Sequence, residues 1–289
     1  MSKQRATSGS GAVENLRING GRLLLRIVIW LAYIFLLAPV VVIIPIAFSS
    51  GTFLSYPLPG FSLRWFESLF VEYPWLLALK NSFIVAIATT FLATVLGTLA
   101  AYGLDRMKWR YKPVLTGLLV APMIVPSVIV ALAIYFFFAR IGIIGSLLGV
   151  ILAHTVIAVP LVVVTVAATL KGFDHNLVRA ASSLGAPPVT VFLTVVLPMI
   201  LPGVMAGAIF AFITSFDEVV IALFLTGPQQ ITLPRQLFSG LRNQLDPSIV
   251  AVAVLMMVVT VLMLGILEYI QRVTARRGGG VLGSSPGGS

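Results

Sequence analysis

Six long apolar segments constrain this chain more than any other feature of its sequence. They cover residues 25–48, 80–103, 114–139, 147–170, 195–225 and 248–270. A helix needs about 20 apolar residues to cross a hydrocarbon layer ~30 Å thick, and each segment is long enough. Lipid offers the backbone no hydrogen-bonding partners, so long uninterrupted apolar segments of this kind are helical. The sequence therefore predicts an all-α polytopic membrane protein with six transmembrane helices.

The basic residues predict how these helices are oriented. With six spans, both termini lie on one side of the membrane. That side holds 14 of the 19 lysines and arginines, which are Lys3, Arg5, Arg17, Arg22, Arg26, Arg106, Lys108, Arg110, Lys112, Lys171, Arg179, Arg272, Arg276 and Arg277. The positive-inside rule then predicts that both termini are cytoplasmic. The net charge of +10 follows from this orientation and from anionic lipid, and it does not require a nucleic-acid partner.

The chain divides into one membrane domain between two tails. We expect a cytoplasmic N-terminal tail over residues 1–24, a six-helix domain over 25–272 and a flexible cytoplasmic C-terminal tail over 273–289. Both tails are rich in glycine and serine. Between the spans, residues 61–70 predict a surface helix with an apolar side. Residues 226–248 are too broken by proline and glycine to span a membrane.

No motif for catalysis or metal binding is present. The chain has no cysteine and no G-x-x-x-x-G-K-[ST], G-x-S-x-G or H-E-x-x-H sequence. Its two histidines, His154 and His175, have no partners at metal-ligand spacing. His154 lies in the fourth apolar segment, where it is either functional or a neutral imidazole hydrogen-bonded to a neighbouring helix. We expect no catalytic residue, no bound metal and no cofactor in this chain.

A short amphipathic segment interrupts the membrane helices after residue 173. Asp174 is a good N-cap, and Gly185 followed by two prolines ends the helix after about ten residues. Four residues at helical spacing form one apolar face: Leu177, Ala180, Ala181 and Leu184. An isolated helix this short is marginal in water. Either it docks into a groove on a partner protein, or it is a connector lying on the membrane surface.

The stretch AASSLGAPPVTVFLTVVLP resembles the E-A-A-x-x-x-G-(x9)-I-x-L-P loop of the permease subunits of ABC importers. Gly185, Leu197 and Pro198 stand at the family's spacing from the two alanines. KGFDHNLVRAASSLGA, SFDEVVIALFLTGP and the six-span plan are similar to the shorter permease subunit of the spermidine/putrescine importers, over about residues 25–272. One departure from the motif matters, because Arg179 stands where the family has glutamate.

The resemblance implies a type I ABC importer permease fold, with residues of about 171–194 as a cytoplasmic coupling loop that docks on an ATPase. The implied coupling residues are Asp174, Leu177, Arg179, Ala180, Ala181, Leu184, Gly185, Ala186 and Pro198. It also implies that ATP and Mg²⁺ are bound by the partner and not by this chain. The implied partners are a second permease in a heterodimer, a cytoplasmic ABC ATPase dimer, a solute-binding protein and membrane lipid. Because Arg179 reverses the charge at that position, the contact that the family's glutamate makes is not carried over to this chain.

The fifth apolar segment carries two acidic residues. On a helical wheel Gly203, Gly207 and Ala211 form a row of small residues that allows another helix to approach closely. The two acids fall on this small, polar side and should face the protein interior, because a charge in lipid is costly. Each acid is either a transient partner for a cationic solute or a structural partner of another helix. The candidate substrate-pathway residues are Asp217, Glu218, Thr214, Phe210 and Tyr135.

Together these features predict a non-enzymatic permease subunit that forms half of a pathway for polyamines across the inner membrane. The same architecture carrying an amino-acid derivative, an opine or an iron complex is the nearer alternative. An ion-coupled secondary carrier is disfavoured by the coupling-like loop and by the lack of a visible inverted repeat. An intramembrane enzyme would need a nucleophile–base pair or a metal cluster, and the sequence shows neither.

Overall fold

The computed structural model describes residues 8–243 and 247–279. Within these residues the chain forms twelve α-helices and one π-helical turn, Phe192–Val196. The helices are α1 Ser8–Ala47, α2 Arg64–Val71, α3 Tyr73–Arg106, α4 Lys112–Ile124, α5 Ser127–Ile141, α6 Leu147–Leu170, α7 His175–Ser183, α8 Pro188–Val191, α9 Leu197–Asp217, α10 Val220–Leu225, α11 Leu233–Asn243 and α12 Pro247–Gly279.

In the described part of the chain, five unbroken helical stretches correspond to predicted spans. They are Leu23–Ala47, Tyr73–Arg106, Leu147–Leu170, Pro188–Asp217 and Pro247–Val273. Helix α1 starts at Ser8 and α12 reaches Gly279, so both terminal helices extend into the predicted tails. The remaining tail residues, 1–7 and 280–289, lie outside the described residues. The predicted all-α membrane fold is confirmed.

The third predicted span, 114–139, is not one straight helix. Helices α4 and α5 meet at an angle of 104°. The break lies at Val125 and Pro126, and Val125 is extended with φ −72° and ψ 133°. A proline ring clashes with a helical conformation of the residue before it, so α4 must end there. The prediction of a continuous helix was wrong because it weighed the apolar run above the proline.

The fifth predicted span, 195–225, also ends earlier than expected. Helix α9 stops at Asp217, Glu218 is extended with φ −73° and ψ 115°, and α10 begins at Val220. Two adjacent carboxylates at the end of a helix are unfavourable, because the carbonyl end of the helix dipole is already negative. The break separates Asp217 from the residues that follow it in the predicted span.

The centre of the molecule is the crossing of α3, α6 and α9. A Cβ atom added to Gly97 of α3 would lie 2.6 Å from the Cβ of Val162 on α6. One added to Gly207 of α9 would lie 2.7 Å from Thr165 Oγ1 and 3.1 Å from the Cα of Val162. A Cβ atom added to Gly203 would clash with the side chain of Thr169, one turn further along α6. The predicted close approach through the small-residue row is confirmed, and its partner helix is α6.

The two ends of this bundle carry different short elements. At one end α3 finishes, α4 begins and α6 leads into α7, and we call this the α7 end. At the other end lie α2 and α11, and we call it the α11 end. The predicted surface helix is α2, whose Leu69 is buried while Phe70 is exposed. Helix α11 is too short to span a membrane, as expected for residues 226–248.

We predict that Gly207→Ala destabilises the bundle by about 1–3 kcal/mol, because the added methyl group meets backbone as well as side-chain atoms of α6. The loss should appear as a lower midpoint for heat-induced loss of the monodisperse peak in size-exclusion chromatography. Gly265→Ala on α12 is the matched control, since a Cβ atom there meets no heavy atom within 4 Å. Equal midpoints for the two variants would contradict the proposed packing.

Candidate functional site

Both ends of α7 are capped as the sequence predicts. The carboxylate of Asp174 accepts a hydrogen bond from the backbone N–H of Asn176 at 2.9 Å. At the other end Gly185 has φ +83°, a conformation that suits glycine because it has no side chain. The N–H of Gly185 donates to the Ser182 carbonyl at 3.0 Å and that of Ala186 to the Ala181 carbonyl at 3.2 Å. This is a Schellman ending, which fixes where α7 stops and α8 begins.

The exposed face of α7 differs from the predicted one by one residue. Leu177 is 40% exposed and Leu184 is 88% exposed, with Ala180 exposed between them. Ala181 instead is half-buried and packs with the buried Val178 on the rest of the chain. The helical spacing grouped Ala181 with the other three residues, although Ala181 lies at the edge between the exposed and the buried face. A docking surface on α7 would therefore consist of Leu177, Ala180 and Leu184.

The remaining predicted coupling residues lie around this helix in different ways. Arg179 is exposed and donates a hydrogen bond to the side chain of Asn176 within α7. Ala186 is half-buried against the core. Pro198 is exposed and lies beyond the π-helical turn, at the start of α9 rather than on α7.

Helix α7 is tied to the ends of α3 and α6. Phe173, just before α7, and Val178 on it belong to the buried cluster that also contains Val162 of α6. The Nε2 atom of His175 lies 3.5 Å from Oδ2 of Asp105, next to the last residue of α3. Because side chains on both sides of its start are anchored, α7 is held as an extension of the helical core.

The π-helical turn lies between α8 and α9. The N–H of Leu197 donates to the carbonyl of Phe192, five residues earlier. Pro198 has no N–H, and its ring would clash with the carbonyl four residues before it in a regular α-helix. We attribute the wider turn to this proline, so the sequence Leu197-Pro198 shapes the entry into α9.

Asp217 lies at the outer edge of α9 and faces α12. Its carboxylate and the hydroxyl of Thr260 on α12 form a hydrogen bond, yet the residue remains exposed. Residues Pro188–Asp217 form a helix of 30 residues, which is ~45 Å long at 1.5 Å per residue. Asp217 therefore lies near one end of this span, at the α11 end, and not at its centre or on the Gly203–Gly207 row.

Glu218 does not face the packing row either. It leaves α9, and its Oε1 atom accepts a hydrogen bond from the N–H of Ile221 at 3.0 Å. A carboxylate is favourable at the start of a helix, where unpaired N–H groups point towards it. The structure thus gives Glu218 a capping contact at the start of α10.

The other predicted pathway residues are not gathered around Asp217. Thr214 is half-buried on α9. Phe210 packs with Leu267 of α12, whereas Tyr135 packs with a separate cluster that includes Ile221 of α10. Phe210 and Asp217 share the α12-facing side of α9, and Tyr135 belongs to another part of the molecule.

His154 and Ser215 make a buried contact between α6 and α9. The Nδ1 atom of His154 lies 2.9 Å from the Ser215 hydroxyl, and both side chains are buried. The interpretation of His154 as an imidazole hydrogen-bonded to a neighbouring helix is confirmed. Its partner could not be chosen from the sequence, because several hydroxyl residues stand in the neighbouring spans.

A polar clasp at the α11 end was not predicted. Asn81 of α3 donates to the carbonyls of Gln229 and Ile231 at 2.9 and 3.0 Å. Arg235 of α11 donates to the carbonyls of Thr226 and Gly227, and burial lowers the pKa of its guanidinium. These bonds hold the segment between α10 and α11 against α3. One indication of these bonds was present in the sequence, which is the polar residue Asn81 at the start of an apolar segment.

Comparison with known proteins identifies the family. A family model described as "Binding-protein-dependent transport system inner membrane component" matches residues 93–276, which include α7, the π-helical turn and the whole of α9. The chain belongs to this family. As the inner-membrane component of a binding-protein-dependent transport system it is a multi-pass transport subunit and not an enzyme.

Curated relatives match over most of the chain. The spermidine/putrescine transport system permease protein PotC of Shigella flexneri is 32% identical over 260 residues, covering 90% of this chain and 98% of the relative. The putrescine transport system permease protein PotI of Escherichia coli (strain K12) is 32% identical over 238 residues, covering 80% and 84%. Both permease proteins are therefore similar to this chain over most of its length.

Solved structures agree on the fold. A chain of a bacterial ABC transporter involved in the import of the acidic polysaccharide alginate superposes with a TM-score of 0.69 at 13% identity. The match covers 88% of this chain and 96% of that chain. This likeness confirms the permease fold of the binding-protein-dependent component.

We predict that Gly185→Val frays the end of α7. A β-branched residue is disfavoured at φ +83° by about 1–2 kcal/mol, so the Schellman hydrogen bonds should open more often. Hydrogen–deuterium exchange should be faster in the peptide that carries the amides of residues 185 and 186. Gly172→Val is the control, because its Cβ atom would make an ordinary contact of 3.7 Å with the Thr169 carbonyl. Unchanged exchange in Gly185→Val would contradict this account of the cap.

Proposed function

We propose that this chain is a permease subunit of a polyamine importer and forms half of the pathway for spermidine or putrescine across the inner membrane. The observation that carries the proposal is the identity of 32% to PotC, which extends over 90% of this chain and 98% of the relative. The anchored α7 and the exposed carboxylate of Asp217 fit the two tasks that such a subunit performs. These tasks are coupling to an ATPase and passage of a cation.

Coupling requires a rigid connection between a docking surface and the membrane helices. The exposed side of α7 would sit in a cleft of the partner ATPase, which binds ATP and Mg²⁺. The buried side continues through Phe173 and Val178 into the cluster that contains Val162 and Ala211. A displacement of α7 would therefore move α6 and α9 as packed bodies, in keeping with a switch between two discrete arrangements.

The pathway itself needs a second permease. In this chain Asp217 is exposed, and the predicted pathway residues Phe210 and Tyr135 belong to different packing clusters. A heterodimer with a second permease would supply the facing wall. A solute-binding protein would deliver the cargo at the α11 end, where the clasped segment around Gln229 presents a surface that α3 holds in place.

The proposed orientation places the α7 end and both termini in the cytoplasm, because most basic residues lie on that side. Since the chain has no cysteine, single cysteines report orientation cleanly. Asp174→Cys should react with a membrane-impermeant maleimide only after the cytoplasmic face is opened, and Arg242→Cys should react in intact cells. The reverse pattern would overturn the orientation.

The whole assembly tests the proposal most directly. The permease purified from its native membrane should bring an ATPase with it, and ATP hydrolysis in proteoliposomes should rise when the binding protein is loaded with spermidine or putrescine. Stimulation by an amino-acid derivative, an opine or an iron complex instead would show that the importer carries a different solute, while its assignment as a permease subunit would stand. Solute uptake without any ATPase would favour an ion-coupled carrier.

We predict that Ala180→Glu breaks coupling. A glutamate in the middle of the small, exposed face of α7 would put an unpaired charge into a docking contact, which costs several kcal/mol. The ATPase should then be lost from the purified complex while the permease still inserts. Ser182→Glu is the matched control, because Ser182 is exposed on the other side of α7. Retention of a normally stimulated ATPase by Ala180→Glu would show that α7 docks by another face.

We predict that Asp217→Asn lowers polyamine uptake at least tenfold while basal ATP hydrolysis continues. The amide keeps the size of the side chain and its hydrogen bond with Thr260, but it no longer offers a counter-charge to an ammonium group. Thr260→Val is the control, since it removes the hydrogen bond and keeps the charge. Normal uptake by Asp217→Asn, or a larger loss in Thr260→Val, would assign the acid a structural role.

A further inference from the structure

The turn between α3 and α4 concentrates positive charge at the α7 end. The sequence RMKWRYKP covers residues 106–113 and contains four basic residues and no acidic one. Arg106, Lys108 and Arg110 are exposed, and Lys112 is half-buried at the first position of α4. No salt bridge is recorded for any of the four within the described residues. The coupling mechanism proposed above makes no use of these charges.

The turn is short, and two aromatic residues lie among its basic residues. Only residues 107–111 separate the end of α3 from the start of α4, and five extended residues span at most ~18 Å. Trp109 and Tyr111 are 57% and 44% exposed, and their rings meet edge to face at 4.8 Å. Tryptophan and tyrosine favour the level of lipid headgroups. The basic residues are therefore held at that level.

A shallow, open groove continues from this turn along one face of α4. Its volume is about 540 Å³, and it is lined by Lys112, Pro113, Thr116, Gly117, Val120 and Ile124. The Thr116 hydroxyl donates to the Lys112 carbonyl at 2.9 Å, so the groove below the lysine is essentially apolar. Gly117 forms its floor, since a Cβ atom there would meet nothing within 4 Å. Lys112 is thus the cationic mouth of an apolar groove.

We propose that this turn and groove bind a phospholipid with an anionic headgroup. The phosphate contacts Lys108, Arg110 and Lys112, and one acyl chain lies along α4. The dimensions fit, because α4 has 13 residues and is ~20 Å long, slightly more than one leaflet of a hydrocarbon core ~30 Å thick. Charge complementarity favours an anionic lipid over a purely apolar partner helix, which would bring no negative charge to the mouth of the groove.

The site lies beside the elements that hold α7. Arg106 stacks over the ring of Tyr102 at 5.2 Å, and Tyr102 packs on Phe192 of the π-helical turn at 4.9 Å. Asp105, the neighbour of Arg106, contacts His175 at the start of α7. A lipid bound at the turn would therefore contact the same end of α3 that anchors α7. The lipid proposal requires only that the chain is embedded in a membrane. Its test therefore does not depend on which solute the protein transports.

Native mass spectrometry of the full chain in detergent tests the proposal. Phosphatidylglycerol and phosphatidylcholine with identical acyl chains serve as probes, and the wild type should retain the anionic lipid preferentially. Each basic residue near an anionic headgroup is worth about fivefold in binding, so Lys108→Gln, Arg110→Gln and Lys112→Gln together should lower phosphatidylglycerol retention at least tenfold. Arg26→Gln, Arg140→Gln and Arg242→Gln are the matched control, because these exposed arginines lie on three different helices.

A second variant tests the groove without changing charge. A Cβ atom at residue 117 meets nothing within 4 Å, so Gly117→Leu should occupy the groove and lower phosphatidylglycerol retention by a similar factor, with unchanged helix content by circular dichroism. It also keeps the test decisive if the triple variant does not fold. Equal retention of both lipids by the wild type would overturn the proposal. So would an equal loss in the control variant, or unchanged phosphatidylglycerol retention by Gly117→Leu.

Discussion

The close crossing of α9 and α6 at Gly207 is the contact on which the rest of the structure depends. No side chain fits there, because a Cβ atom would lie 2.7 Å from Thr165 Oγ1. Within a membrane, helices associate through such packing and through interhelical hydrogen bonds, since lipid is as apolar as their side chains. The same relative position of α6 and α9 brings His154 next to Ser215, two turns further along α9 from Gly207. It also turns Asp217 away from α6 and towards α12.

This crossing also explains why a short helix outside the membrane can matter to the membrane core. Helix α7 would be marginal alone, but Phe173 and Val178 belong to the same buried cluster as the helices that cross. Its stability therefore comes from tertiary packing and not from its own propensity. A helix anchored in this way moves with α6 and α9, which is the mechanical property that a coupling element needs.

Several local features could be predicted because short-range chemistry determines them. Asp174 and Gly185 cap α7 as their residue types require, and the small-residue row of α9 packs as its spacing indicates. The break at Pro126 also had a local signal, the proline itself. A mean hydropathy taken over the whole apolar segment does not show the effect of a single proline. The sides to which Ala181 and Asp217 turn were harder to predict, because both lie at the edge of a helical face. A wheel cannot say which neighbour covers such an edge.

The sequence by itself determined that the chain crosses a membrane as helices, where α7 begins and ends, and which family it belongs to. These properties depend on apolar length, capping residues and motif spacing, and all three are written along the chain. Only the tertiary structure decided that α6 is the partner of the glycine row, that Asp217 meets Thr260, and that Glu218 caps α10. These pairings join residues distant in sequence, and each depends on how whole helices rotate and shift against one another. Many rotations bury similar apolar area, so the choice among them depends on the complete set of contacts.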